Sequence, residues 1–229
     1  MLLIAFDTAT PAVTVALHDG ERVLAEESAV DARRHGELLA ASISRVLAAA
    51  GALAADLTGI AVGVGPGPYT GLRAGLVTGR VLGSVLGVPV HGACTLDVIA
   101  RAVAGRAADG GPGASEAVAA GHDFIVATDA RRKEIYWARY TAAGRRTRGP
   151  EVSAPGEAVA DCPVAGQGAL LYPAELGAPI EPAYPSAAWL AVVVAERIAR
   201  GEPAVPAEPL YLRRPDARIP GPPKRVTPS

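Results

Sequence analysis

Residues 65–75 read Gly-Pro-Gly-Pro-Tyr-Thr-Gly-Leu-Arg-Ala-Gly, between a strand-like apolar run at 60–64 and a helix-like run at 72–86. A glycine-rich turn from strand to helix is a natural place for phosphate chemistry, because free backbone N–H groups and the helix dipole both favour an anion there. Pro66 and Pro68 have no N–H to donate, so two ligands are missing from the part of the loop that would wrap a phosphate. No lysine follows any glycine of the segment, which removes a P-loop. Gly65, Gly67 and Gly71 match a loose dinucleotide spacing, without an evident acidic partner about 20 positions on. As a phosphate cradle the loop is poor.

The other chemistry-bearing residues stand alone. Cys94 and Cys162 belong to no C-x-x-C or Cys/His cluster, so zinc and redox chemistry are unsupported and both read as core residues. Gly-x-Ser-x-Gly is absent, and His122 lies in a polar loop beside Asp123, so no Ser-His-Asp set declares itself. His35 opens a helix with Leu39 at the position one turn on, and without a local co-ligand it reads as a helix-start or interface histidine. Arg131, Arg132 and Lys133 form one basic turn and Arg145, Arg146 and Arg148 another; both are candidates for RNA phosphate contacts, against the commoner explanation of solvated loops.

The elements that position these residues alternate legibly. Strand-like runs at 2–7, 12–17 and 22–27 open the chain, the second and third joined by His18-Asp19-Gly20, a hairpin signal. A helix is predicted from His35 to Ala50, with Leu39, Ile43, Val46, Leu47 and Ala50 on one stripe and Gly51 as its stop. Strand 58–64, the glycine-striped helix, strand 88–91 and a helix from Thr95 follow. Three meandering strands and then alternating helices and parallel strands is the order of a ribonuclease-H-like α/β layer. After a glycine-rich break at 105–116, strands at 124–128 and 134–140 begin a second, smaller half that repeats the opening. That half ends in an apolar helix at 187–199, and the proline-rich tail from Pro215 is expected to stay unstructured. The corresponding division is a first lobe at 1–105, a second at 106–214 and a tail at 215–229.

Gly71, Gly75, Gly79, Gly83 and Gly87 recur every fourth residue along one helix face. Each interior glycine costs about 1 kcal/mol against alanine, so the stripe implies close approach by another backbone. Leu72, Leu76, Val77, Val81, Leu82, Val85 and Leu86 make the rest of the helix apolar nearly all round, apart from Arg73 and Arg80. Such a helix is either internal or covered by a partner. Small residues at Ala41, Ser42, Ala48 and Ala49 on the first helix fit close packing across an interface.

Composition sets the outer bounds. Half of the 229 residues are hydrophobic, enough for a substantial core, and a net charge of −1 gives no global pull toward nucleic acid or anionic membrane. The start of the chain carries neither a basic stretch nor a long apolar segment, so a cytoplasmic location is expected.

Four motifs in order carry a family resemblance: Asp7-Thr8-Ala9-Thr10, the 65–73 loop, Asp129-Ala130-Arg131 with Glu134-Ile135-Tyr136-Trp137-Ala138, and Tyr211-Leu212-Arg213. Together they resemble the bacterial TsaB (YeaZ) family over nearly the whole chain. The resemblance implies two ribonuclease-H-like lobes of the actin-like ATPase (ASKHA) superfamily, the second reduced. It also implies a non-catalytic role in making threonylcarbamoyl-adenosine beside the anticodon of ANN-decoding tRNAs. The implied partners are the catalytic paralogue TsaD and the ATPase TsaE, with tRNA met indirectly and a homodimer when the chain is alone. The implied TsaD interface uses His35, Leu38, Ala41, Ser42 and Arg45 of the first helix, and Thr70, Gly71, Leu72, Arg73, Gly75, Leu76, Gly79, Arg80 and Gly83 of the second.

Two departures from active relatives fit a chain expected to have no catalytic residue, cofactor or metal. Actin-like phosphotransferases carry Asp-x-Gly at the first hairpin, whereas Ala9 here puts a methyl where the backbone must approach phosphate. TsaD carries a His-x-x-x-His after the strand corresponding to 88–91, where this chain reads His91-Gly92-Ala93-Cys94-Thr95-Leu96. Asp7 and Asp129, which end the first strands of the two lobes where working kinases hold metal and base, read as relics. The competing readings are a self-sufficient ASKHA ATPase or phosphotransferase and a peptidase.

Overall fold

The computed structural model describes residues 1–31, 34–158 and 161–213; the tail expected at 215–229 lies outside the described residues. The chain opens with β1 (Leu3–Asp7), β2 (Ala12–His18) and β3 (Val23–Val30), then α1 (His35–Ala49), β4 (Gly59–Gly63), α2 (Tyr69–Leu86), β5 (Val90–Ala93) and α3 (Thr95–Asp109). These strands form a sheet in the order β3-β2-β1-β4-β5, β1 antiparallel to β2 and parallel to β4. Continuous apolar runs in β1 and β2 give strands buried on both faces, while β3, with adjacent Glu26 and Glu27 among small and apolar residues, sits partly exposed at the edge.

The second half has α4 (Glu116–Ala119), β6 (Phe124–Asp129), β7 (Ile135–Tyr140), β8 (Arg146–Ser153), β9 (Val164–Ala165), α5 (Gln167–Leu171), α6 (Pro173–Leu176), β10 (Pro179–Ile180) and α7 (Ala187–Ala199). Its sheet runs β10-β9-β6-β7-β8, the same ribonuclease-H-like order with β6 in the place of β1. The reduction is concrete. Where the first lobe has α1, the second has a three-residue turn of 3-10 helix at Pro155–Glu157, and β9 and β10 are two residues each. Asp7 and Asp129 end the equivalent central strands β1 and β6.

The outer face of the first sheet, with Ile4, Phe6, Val15, Ile60 and Val62, is covered by Leu39, Ile43 and Val46 of α1 and by Leu72 and Leu76 of α2. Its inner face carries Leu3, Ala5, Ala16 and Ala61, and the small alanines admit Leu190, Ala191 and Val194 of α7, which comes from the end of the second half. In exchange, Leu96, Ile99 and Val103 of α3 complete the second sheet's core with Phe124, Val126 and Tyr140. The two exchanged helices touch at Gly105, where a Cβ would lie 2.2 Å from Trp189 Cη2.

The second basic turn of the sequence reading is corrected by the structure. Arg146 and Arg148 belong to β8, where Arg146 pairs with Asp97 at 3.1 Å and Arg148 pairs with Glu151 at 2.9 Å and covers the Trp137 ring. Opposite charges within the chain satisfy these guanidiniums. Among the described residues no helix is long and apolar enough to cross a membrane.

Candidate functional site

The β1–β2 turn, the 65–68 loop with the start of α2, the β6–β7 hairpin and the last described segment meet at the crevice between the lobes. Asp7 is fully buried, accepting from Ala9 N at 2.7 Å and from Thr95 Oγ1 at 2.7 Å. Asp129 accepts in the same way from Arg131 N at 2.7 Å, so each lobe's aspartate closes its own hairpin. Both carboxylates are thus engaged in holding backbone. The glycine loop closes directly on the β1–β2 turn: a Cβ on Gly67 would lie 2.1 Å from Ala9 O, and one on Gly63 would lie 1.9 Å from Asp7 Oδ2. Protein atoms therefore occupy the space beside Asp7, and Ala9 itself is 1% exposed.

Burial raises the Asp7 carboxyl above its ordinary 3.8, with the hydrogen bonds from Ala9 and Thr95 opposing the shift. A folded-state value above the unfolded one gives stability that is fully present below 3.8 and lost as pH rises through the folded value. Asp7→Asn keeps an acceptor for Ala9 and removes the buried charge. The expected result is unfolding stability at neutral pH equal to or above that of the parent, with a flatter pH profile from 3.8 upward. Urea midpoints of both proteins across pH check this, and an unchanged slope would place the pH dependence elsewhere.

The glycine stripe has an unexpected tenant. Thr8 Oγ1 donates to Gly71 O at 2.7 Å and accepts from Gly75 N at 3.0 Å, bridging two groups that an uninterrupted helix pairs with each other. Cβ atoms at Gly75, Gly79 and Gly83 would lie 2.6 Å from Thr8 Oγ1, 2.5 Å from Val62 Cγ1 and 2.4 Å from Val90 Cγ2. The placement of Gly71, Leu72, Gly75, Leu76, Gly79 and Gly83 on a partner interface is therefore corrected. All six are buried against the chain's own sheet and turn. Ser42 is also inside, 1% exposed and bonded to Glu27, which holds Arg45 as well.

What α2 leaves open is the opposite face. Val77, Val81 and Val85 are 58%, 55% and 76% exposed and succeed one another at single helical turns, with Thr70, Arg73 and Arg80 exposed beside them. On α1, Ala48 and Ala49 are exposed, while His35, Leu38 and Ala41 are half-buried. His35 Nε2 lies 2.9 Å from the Thr10 carbonyl, which can only accept, so the ring donates there and fastens the start of α1 to the β1–β2 turn.

The β6–β7 hairpin carries Arg131, Arg132 and Lys133 with φ of 62°, 56° and 62°, three successive left-handed residues, none of them glycine. L-residues avoid this region at about 1–2 kcal/mol each. The hairpin is held by Ala130 N to Glu134 O and Glu134 N to Arg131 O, both 3.0 Å. From the other side, Arg213 donates to Ala130 O at 3.3 Å and is ion-paired with Glu134. Upstream, Gly92 N bonds Val205 O and Leu210 N bonds Val64 O, both at 2.8 Å, while Arg80 and Arg73 hold Ala207 O and the Tyr211 hydroxyl. Residues 205–213 are thus a strap from the first sheet to the second-lobe hairpin. It brings Tyr211 onto Tyr69, with ring centroids 5.5 Å apart, a pairing that separation in sequence concealed.

Cys94 lies beneath the crevice and burial pushes its thiol up to about 12, as for an inert core cysteine. Among the described residues no group of three or more His, Cys, Asp or Glu is placed to hold a metal ion.

Comparison with known proteins agrees with this geometry. The family model "TsaD: tRNA N6-adenosine threonylcarbamoyltransferase" matches residues 22–175. Uncharacterized proteins of Mycobacterium tuberculosis and Mycobacterium bovis are each 42% identical over 220 residues, covering 94% of this chain and 93% of theirs. The solved structure of YeaZ from Pseudomonas aeruginosa is similar with a TM-score of 0.74 at 27% identity, covering 92% of this chain and 99% of that one. A second structure, described as an uncharacterized protein with similarity to peptidase YEAZ from Pseudomonas aeruginosa, matches with a TM-score of 0.74 at 29% identity, over 93% of this chain and 99% of that one.

Proposed function

Because this chain belongs to the TsaB (YeaZ) family, within the wider family of the tRNA threonylcarbamoyltransferase TsaD, we propose that it is a non-catalytic scaffold for threonylcarbamoyl-adenosine formation in ANN-decoding tRNAs. It acts by docking on TsaD, with the ATPase TsaE joining the pair, and in the absence of TsaD the same face pairs two copies of the chain. The observation that carries this reading is the uncovered valine stripe of α2, Val77, Val81 and Val85, on a helix whose other face is sealed against the first sheet. Ala48 and Ala49 of α1 are exposed as well, small side chains that would let a partner helix approach closely. Asp7 and Asp129, both engaged in closing their own hairpins, support a role without chemistry.

The test is threonylcarbamoylation of an ANN-decoding tRNA by TsaD, TsaE and the donor-forming enzyme, with and without this chain. Activity is expected to require the chain and to survive Asp7→Asn and Asp129→Asn. Loss of activity on either substitution, in a folded protein that still binds TsaD, would mean that the chain contributes chemistry.

A further inference from the structure

A groove of about 280 Å³ lies between the outer side of α2 and the strap, lined by Arg73, Leu76, Val77, Arg80, Pro209 and Tyr211. Most of the described arginines lie against a carboxylate, as Arg45 does against Glu27, Arg101 against Glu196 and Arg146 against Asp97. Arg73 and Arg80 are exposed, and neither makes an ion pair among the described residues. Each is held instead through Nε by a neutral oxygen, Arg73 by the Tyr211 hydroxyl at 3.1 Å and Arg80 by the Ala207 carbonyl at 3.0 Å. That single bond orders the guanidinium, while the Nη donors through which it can grip a carboxylate make no hydrogen bond among the described residues. A cation already ordered loses less freedom when an anion arrives.

The charge around this groove is of one sign. α2 contains no acidic residue. On α1 the one acid is Glu37, which is ion-paired with Arg34, and Glu27 of β3 is taken by Arg45 and Ser42. A second copy of the chain meeting this face would therefore bring further cations and no uncommitted carboxylate from α1 or α2. Arg73 and Arg80 stand two helical turns, about 10 Å, apart along α2, with the exposed Val77 between them.

We propose that this groove receives an acidic segment of a protein partner, with two carboxylates about 10 Å apart, one for each arginine, and an apolar side chain between them against Val77. The inference rests on α2 being the face that docks on TsaD, and it specifies what TsaD presents there. It also makes the face selective: a partner with those acids is attracted at both arginines, a second copy meets like charge, and the heterodimer is favoured over the homodimer. RNA phosphates would satisfy the guanidiniums but leave Val77, Val81 and Val85 uncovered, which is why a protein fits this face better.

Titration of TsaD with the full chain, from about 50 to about 500 mM NaCl, tests the proposal on the parent, on an Arg73→Gln, Arg80→Gln double variant and on Tyr211→Phe, which removes the strap bond of Arg73 and keeps both charges. The double variant is expected to bind TsaD about 10-fold more weakly at low salt and to lose most of the salt dependence, while Tyr211→Phe follows the parent. Sedimentation of the isolated chains should show the double variant self-associating at least as tightly as the parent. Parent-like affinity and salt response in the double variant, where Val81→Asp does weaken binding, overturns the acidic groove and leaves docking through α2 standing. Parent-like affinity in both proteins overturns the docking reading and the groove together. Self-association lost in parallel with TsaD binding overturns the selectivity, and loss of binding to an ANN-decoding tRNA with TsaD affinity unchanged overturns the proposal in favour of RNA phosphate.

Discussion

Gly79→Leu is expected to lower the unfolding free energy by about 3 kcal/mol and the melting temperature by roughly 6–12 °C. The Cβ alone would stand 2.5 Å from Val62 Cγ1 and 3.5 Å from Phe6 Cζ. Val62 cannot retreat, because β4 is fully buried and hydrogen-bonded on both sides, to β1 and to β5. The helix must lift instead, and lifting α2 breaks the Thr8 bridge to Gly71 and Gly75. Better helix propensity returns only about 1 kcal/mol. Gly36, where nothing lies within 4 Å of an added Cβ, supplies the control: Gly36→Ala should hold or raise stability. Urea unfolding of the three proteins decides the matter, and a Gly79→Leu midpoint equal to the parent's would show that the stripe does not seat the helix.

Val81→Asp is expected to do the reverse, leaving the fold intact while weakening association with TsaD by at least about 30-fold, or 2 kcal/mol. Val81 is 55% exposed and flanked along the helix by exposed Val77 and Val85, so an aspartate there remains solvated in the free chain and costs little. Pressed into an apolar contact, the same carboxylate would lose its water without gaining a partner. Titration with TsaD measures the main effect, and sedimentation of the isolated chain should show self-association lost in parallel. Wild-type affinity for TsaD in a folded Val81→Asp protein would remove the valine stripe from the interface.

The contrast between these two positions marks where the sequence stops being readable. The bounds of α2 follow from its apolar run and from Gly87, which takes the left-handed conformation that ends the helix. Which side faces inward does not follow, since a glycine stripe carries no hydrophobic side chain to announce burial and the valines opposite it look like core. The opening hairpin was legible from Asp19-Gly20, and the repeat of the two sheets from the strand order. β8 was hidden because its arginines imitate a solvated loop, and their partner Asp97 lies far back in α3. β9 and β10, at two residues each, are too short for any period to register. The Tyr69–Tyr211 pair draws on α2 and the strap, two segments joined only by tertiary structure.

The exchange of α3 and α7 makes each sheet depend on a helix from the other half of the chain. Leu190, Ala191 and Val194 close the first sheet from the far end of the chain, while Leu96, Ile99 and Val103 close the second from the near end. Severed at the glycine-rich break, neither fragment would carry the helix that seals its own sheet, and each would display a bare apolar face to water. The two layers of equivalent strand order are mutually dependent, so the chain is expected to unfold in a single transition despite its repeated plan.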